Sequence, residues 1–337
     1  MREGEMVDEK QDGPRRQEDA EARLDALRSE AATRGRVSGE GVRAVAGPLP
    51  TAIDYSQHPI LKPPVWTWEV PLYLFLGGLS GMAAVVAMAA WGGAASPVLV
   101  RDALRLAVLG AALCPLLLIS DLGRPARFLN MLRVFKRRSP MSVGAWTLVL
   151  FGLLVVPTWA LVEGYDFALE LLGDGARIAV QALLLPSALA GALLAVYTGV
   201  LLAATVIPAW NVHRALLPVH FGVAGLGSAA AALELLGHGQ PALWRLGLAA
   251  AAIETALTAW LALARRHEPA DRAVRHGRPG VLVGLAGGLA GPVSLVLRVL
   301  GQVPYAATAF LVGAVLSRFG WLAAGRGSAG TEPGRFN

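Results

Sequence analysis

Asp121-Leu122-Gly123-Arg124-Pro125-Ala126-Arg127-Phe128-Leu129-Asn130 separates two long apolar runs, so it forms a loop at a membrane surface. It places a carboxylate and two guanidinium groups where a hydrocarbon segment ends. Ionisable groups at that depth are costly unless they are paired or used. Arg133, Lys136, Arg137 and Arg138 follow, and then Ser139-Pro140-Met141-Ser142, which opens the next helix. Ser139 suits an N-cap and Pro140 the first helical position.

Working outward from this loop, the apolar runs recur along the chain. Of 337 residues, 55% are hydrophobic and only 16% charged, and the mean hydropathy is +0.52. Soluble domains carry roughly a quarter charged residues. The shortfall, with repeated apolar runs of about 20 residues, predicts an all-α polytopic membrane bundle. About eight membrane helices are expected, near 69–91, 104–120, 141–163, 178–207, 215–236, 244–265, 281–300 and 303–324. Residues 1–60 form a polar, largely disordered tail in which Asp19 to Ala32 is the one stretch suited to a short helix. Residues 61–325 form the transmembrane domain and 326–337 a short C-terminal tail. Trp66 and Trp68 sit at headgroup level ahead of the first helix.

The formal charge of +6 raises nucleic acid as a partner. The basic residues, however, cluster in short loops between apolar runs, where they orient helices, so none is expected. An even number of spans puts both ends of the bundle on one side, called side A here. Its loops and tail (121–140, 208–214, 265–280, 325–337) hold 14 Lys and Arg, against 5 on side B. The side-B loop from Glu163 to Gly175 is acidic. Charge counting therefore places both termini and the Asp121 loop in the cytoplasm of a plasma (inner) membrane protein. No secretory signal is expected, because the first 60 residues lack an apolar core. Cys114, the sole cysteine, reads as a small buried filler. One cysteine excludes an intramolecular disulfide and an iron–sulfur cluster ligated by this chain alone.

Several polar groups gather toward side A. Glu69 opens helix one and Asp121 closes helix two. Tyr197 lies roughly ten residues before Pro208 in helix four, about 15 Å from that end at 1.5 Å per residue. Asn211, His213 and Arg214 leave helix four, and His220 begins helix five. Carboxylates, a phenol and imidazoles at one end can hydrogen-bond the two oxygens of a quinone and move its protons. They can equally be interfacial charges that close helix ends. Glu254 stands apart near the middle of helix six, where a carboxylate marks a functional site by default. A proton relay, pairing with Arg318, and a protonated carboxyl bonded to a neighbouring helix all remain open for it. Of six histidines only His220 approaches membrane depth, so no haem is expected, and no metal site is foreseen. The Gly77-Gly78-Leu79-Ser80-Gly81 stretch suits close helix packing.

Several segments in order resemble the polysulfide reductase/NrfD family of membrane subunits. They are Val70-Pro71-Leu72-Tyr73-Leu74-Phe75-Leu76-Gly77-Gly78-Leu79-Ser80-Gly81; Asp121-Leu122-Gly123-Arg124-Pro125 with Arg127-Phe128 and Asn130-Met131-Leu132; Ser139-Pro140-Met141-Ser142-Val143-Gly144-Ala145-Trp146; and Tyr197-Thr198-Gly199-Val200-Leu201-Leu202 with Pro208 and Trp210-Asn211. The likeness covers about residues 60–320. It implies a bundle of about eight helices with no redox cofactor of its own. Such a subunit binds quinone, usually menaquinone or its quinol, and exchanges electrons with a separate iron–sulfur subunit, often one serving a molybdenum-containing catalytic subunit.

Carried over by motif, Asp121 and Tyr197 correspond to quinone-site residues, and Arg124 to the residue that holds the Asp121 loop. Glu69 stands where some members place a histidine. Asp121, Glu69 and Glu254 are thus the candidate catalytic (proton-transfer) residues. Arg127, Arg133, Lys136, Arg137 and Arg138 are the candidate docking face for the iron–sulfur partner. In the best-known members the quinone site faces the periplasm, whereas charge counting here puts the Asp121 loop in the cytoplasm. The expected function is the quinone-reactive anchor of a respiratory oxidoreductase complex. A secondary transporter built around Glu254, and an anchor without a quinone site, are the rivals. The transporter reading lacks the paired broken helices such folds show.

Overall fold

Ser139 Oγ accepts a hydrogen bond from the Ser142 amide at 3.4 Å, and Pro140 is the first helical residue. The Ser-Pro-Met-Ser segment thus starts a helix as its chemistry requires. The computed structural model describes residues 66–93, 95–122, 132–263 and 269–329, with Ala22, Asp25, Ala26, Ser29, Pro64 and Phe128. The chain divides into Met1–His58 and Pro59–Asn337. In the first unit, Ala22, Asp25, Ala26 and Ser29 are helical. The expectation of disorder over 1–60 lies outside the described residues.

The helices of the second unit are α1 (Glu69–Gly92), α2 (Pro97–Asp121), α3 (Pro140–Glu163), α4 (Tyr165–Leu172), α5 (Gly175–Ala203), α6 (Pro208–Val212), α7 (Leu216–Leu235), α8 (Pro241–Leu263), α9 (Pro269–Arg275), α10 (Gly277–Val299) and α11 (Val303–Ala329). No strand occurs among the described residues. Eight helices are long and apolar enough to cross a membrane: α1, α2, α3, α5, α7, α8, α10 and α11. The chain is a multi-pass membrane protein.

Packing divides the spans into two groups of four. In the N-terminal group α1 packs on α2 and α5, and α3 on α2 and α5; in the C-terminal group α7 packs on α8 and α11, and α10 on α11. Helix α1 joins the groups through α7 and α11. Its glycines set its approach within its own group and across to the other. A Cβ on Gly81 would sit 2.2 Å from the Gly191 carbonyl oxygen of α5, and one on Gly225 of α7 would sit 2.8 Å from that of Gly78. Only hydrogen at those positions lets the backbones meet.

Several boundaries differ from expectation. Helix α2 starts at Pro97, before the expected 104, and the charged Asp102 and Arg105 of its first turns are paired on side B. Asp102 takes a bond from His238 Nε2 at 2.9 Å, and Arg105 reaches Glu163 at 2.5 Å. The acidic side-B loop contains a helix, α4, whose Phe167 and Leu171 are exposed, as an interfacial helix presents its apolar face. Helix α5 ends at Ala203 rather than 207, which brings Tyr197 to about 9 Å from that end. Helix α11 runs on to Ala329, past the expected 324. Within α10, a π-turn at Leu289–Val293 surrounds Pro292, whose missing N–H breaks the regular ladder.

Candidate functional site

Two cavities open toward side A, one in each group of four spans. In the first, α2 brings Asp121, α5 brings Tyr197 and the approach to α1 brings Trp66 around a space of about 80 Å³. Val70, Tyr73, Phe128 and Met141 complete much of its wall. Gly144 of α3 makes the room for Tyr197, since a Cβ there would fall 2.1 Å from the ring Cε1. The Tyr197 hydroxyl donates to the Pro140 carbonyl. Its proton is thus committed to the start of α3, and toward a ligand the oxygen can act as an acceptor.

Glu69 does not line this cavity but is wired to it. The Thr67 hydroxyl lies 2.6 Å from Asp121 Oδ1 and also contacts Glu69 Oε2. One hydroxyl proton faces two carboxyl groups, so it serves one acceptor at a time. Thr67 thus bridges Asp121 and Glu69. Sequence reading set Glu69 beside the site but not Thr67, because only the turn into α1 decides which way that hydroxyl points.

Beside the cavity, Arg133, Lys136, Arg137 and Arg138 are all exposed, with Val134 and Phe135 half-exposed among them. Ser142 fixes this segment by accepting from the Lys136 amide at 3.0 Å and donating to the Val134 carbonyl at 3.4 Å. Arg124 and Arg127 lie outside the described residues.

The second cavity, of about 460 Å³, lies between α7, α8, α10 and α11, with α9 at its rim. At its floor His220 Nδ1 meets Glu254 at 2.8 and 3.1 Å. Glu254 is fully buried and His220 is 8% exposed. The Arg318 guanidinium donates to Ser317 Oγ at 2.9 Å and the Phe221 carbonyl at 3.2 Å, and stacks 3.7 Å over the Phe221 ring. Glu254 is therefore held by histidine, and Arg318 by other groups. Both His220 and Glu254 stand out in the sequence; their pairing does not, because 34 residues and a side-B turn separate them.

An aromatic wall divides the two cavities. Trp66 of the first stacks on Trp210 of α6, with centroids 5.5 Å apart. Trp210 Nε1 donates at 2.7 Å to the carbonyl of Trp321, which lines the second cavity. Trp66 is thus turned inward, while Trp68 is 60% exposed as an interfacial residue should be. A buried ion pair on side B, Arg298 to both oxygens of Glu234 at 2.7 Å, also escapes sequence reading. It ties α10 to α7 across 64 residues.

Eight apolar spans in two groups, with charged side chains and a phenol gathered around a cavity at one end, define a multi-pass membrane protein. Residues 58–238 match the model of the family described as polysulphide reductase, NrfD, and the chain belongs to that family. The match takes in the whole N-terminal group and α7, and so the Asp121 and Tyr197 cavity. No curated protein matches the chain. The family marks the protein as a membrane anchor of the kind found in oxidoreductase complexes.

Proposed function

We propose that this chain binds a membrane quinol or quinone, menaquinone by class, at the Asp121 and Tyr197 cavity. There it exchanges electrons with an iron–sulfur subunit docked on side A, which in turn serves a molybdenum-containing catalytic subunit. The observation that carries the proposal is the convergence of Asp121, Tyr197 and the Thr67–Glu69 relay on one cavity within the family-matched segment. Oxidising a quinol releases two protons with two electrons, so a site needs an acceptor that can hand protons onward. Asp121 is the first acceptor, and Thr67 and Glu69 lead toward water. Tyr197, its own proton on Pro140, accepts from a quinol hydroxyl and fixes the ring. Meeting a quinone carbonyl instead requires the phenol to release Pro140 and donate.

At about 80 Å³ the cavity is smaller than the roughly 300–1,000 Å³ of small-molecule sites. The half-exposed Met141 at its rim is the unbranched, adaptable side chain that gives way to a ring. Arg133, Lys136, Arg137 and Arg138 receive the partner, and charge complementarity speeds and orients that encounter. Glu254, held by His220, acts as a proton relay in the second group. Side A faces the cytoplasm by charge distribution, and the whole assembly sits in the plasma membrane.

Gentle-detergent purification of the tagged chain from its native membrane tests the proposal. Co-purification of iron–sulfur and molybdenum subunits, with a quinol analogue reducing the cluster, is the expected outcome. Isolation without redox partners or quinone sinks it. A periplasmic reporter signal from a C-terminal fusion sinks the cytoplasmic orientation alone.

A further inference from the structure

The second cavity is built by a splay between α8 and α10. Near the π-turn the two helices touch. A Cβ on Gly291 would sit 2.9 Å from the Thr255 nitrogen, and one on Gly287 would sit 2.5 Å from Thr258 Oγ1. One turn nearer side A, a Cβ on Gly284 would meet nothing within 4 Å. The helices therefore form a V whose apex lies at Thr255 and Thr258 and whose mouth lies at Gly284 and Ala262. Both mouth residues are exposed, as are the flanking Leu263, Val281 and Leu285. In a bilayer this mouth opens sideways into lipid.

The floor of the V is polar. Nδ1 of His220 is committed to Glu254, and Nε2 makes no hydrogen bond among the described residues. With Nδ1 on Glu254, Nε2 is the ring position left to meet a ligand or water in the cavity that His220 lines. The walls above it are mostly apolar, with Leu257, Leu261 and Val283 lining the space, and Arg275 and His276 stand at the side-A rim. About 460 Å³ falls within the range of small-molecule sites. The occupant that fits has a hydrogen-bonding head, an apolar tail leaving toward lipid, and no negative charge on the head. A phosphate at the floor would meet the Glu254 carboxylate, and an acyl chain there would leave Nε2 unmet.

We propose that this cleft is a second quinol-binding site, in which His220 Nε2 accepts a hydrogen bond from the quinol hydroxyl and the isoprenoid tail leaves between α8 and α10. The site holds a quinol on side A, behind the Trp66–Trp210–Trp321 wall from the Asp121 cavity. It shares its ligand class with the Asp121 site but none of that site's lining residues, and its floor is the His220–Glu254 pair already assigned as a relay; no electron transfer is assigned to it.

Photolabelling of the purified complex with an azido-menaquinone, followed by peptide mapping, tests it. Label is expected on two segments, one around 141–145 and one around 257–262 or 281–287. Gly284→Phe fills the mouth where a side chain meets no obstacle. It is expected to remove the second label and keep the first. Leu261→Trp narrows the cleft from the opposite wall and gives the same readout should Gly284→Phe not assemble. Excess unlabelled menaquinone is expected to compete. Absence of label on α8 and α10, or label there that survives both variants, overturns the proposal. So does competition by phosphatidylglycerol but not by menaquinone, which makes the cleft a lipid site. Loss of the first label alone would instead count against the Asp121 reading and leave this one standing.

Discussion

The two groups of four spans solve the same problem, holding polar groups at one end of an apolar bundle, in opposite ways. In the N-terminal group Asp121, Glu69 and Thr67 sit at helix ends beside a narrow cavity. Water and loop segments share the cost of their charge. In the C-terminal group Glu254 is fully buried, and its cost is met by His220 inside the bundle. A carboxylate at a helix end exchanges protons with water readily. One in the bundle interior can do so only through its partners. The first arrangement suits proton release from a reacting ligand, and the second suits a relay or a binding floor.

The sharpest way to break this contrast is to remove the charge from each carboxylate in turn. Asp121→Asn should assemble normally and lose roughly 10²–10⁴-fold of quinol-linked turnover, the usual worth of a general acid–base group. Unchanged turnover in a fully assembled variant removes Asp121 from the mechanism. Packing comes next. Gly144→Ala drives a methyl into the Tyr197 ring and should cost about 1–3 kcal/mol of stability, seen as a lower thermal unfolding temperature and a raised KM for quinol. Glu254→Gln keeps a hydrogen-bonding group for His220. It should preserve assembly and lower turnover or proton coupling by a smaller factor than Asp121→Asn, as proton uptake in vesicles would report. Equal effects for the two carboxylates would erase the distinction between the groups.

Two smaller effects refine it. Replacing Arg133, Lys136, Arg137 and Arg138 together by Ala should slow partner association at low salt. The difference should fade as ionic strength rises and the Debye length falls to about 10 Å at 0.1 M, readable by surface-immobilised binding kinetics. A difference that persists at high salt would mean packing rather than charge. The smallest effect belongs to the V-shaped cleft. Gly284→Ala should leave thermal stability unchanged or slightly raised, since a helical Gly→Ala change gains intrinsic propensity, while Gly287→Ala should lower it by crowding Thr258. Similar losses for both would show that α8 and α10 do not splay.

Much of this was legible in the amino-acid order. Eight spans follow from length and hydropathy, because a bilayer demands about 20 apolar residues per crossing whatever their neighbours. The start of α3 follows from Ser139 and Pro140, whose capping chemistry is local. The family resemblance singles out Asp121 and Tyr197, and Glu254 draws attention by its depth alone. The tertiary structure decided the partners. Thr67 joins Glu69 to Asp121 across 54 residues, His220 meets Glu254 across 34, and Arg298 meets Glu234 across 64. Nothing local encodes these meetings. They depend on how glycines at 78, 81, 191 and 225 let helices approach, and on where α8 and α10, in contact near the π-turn, part toward side A.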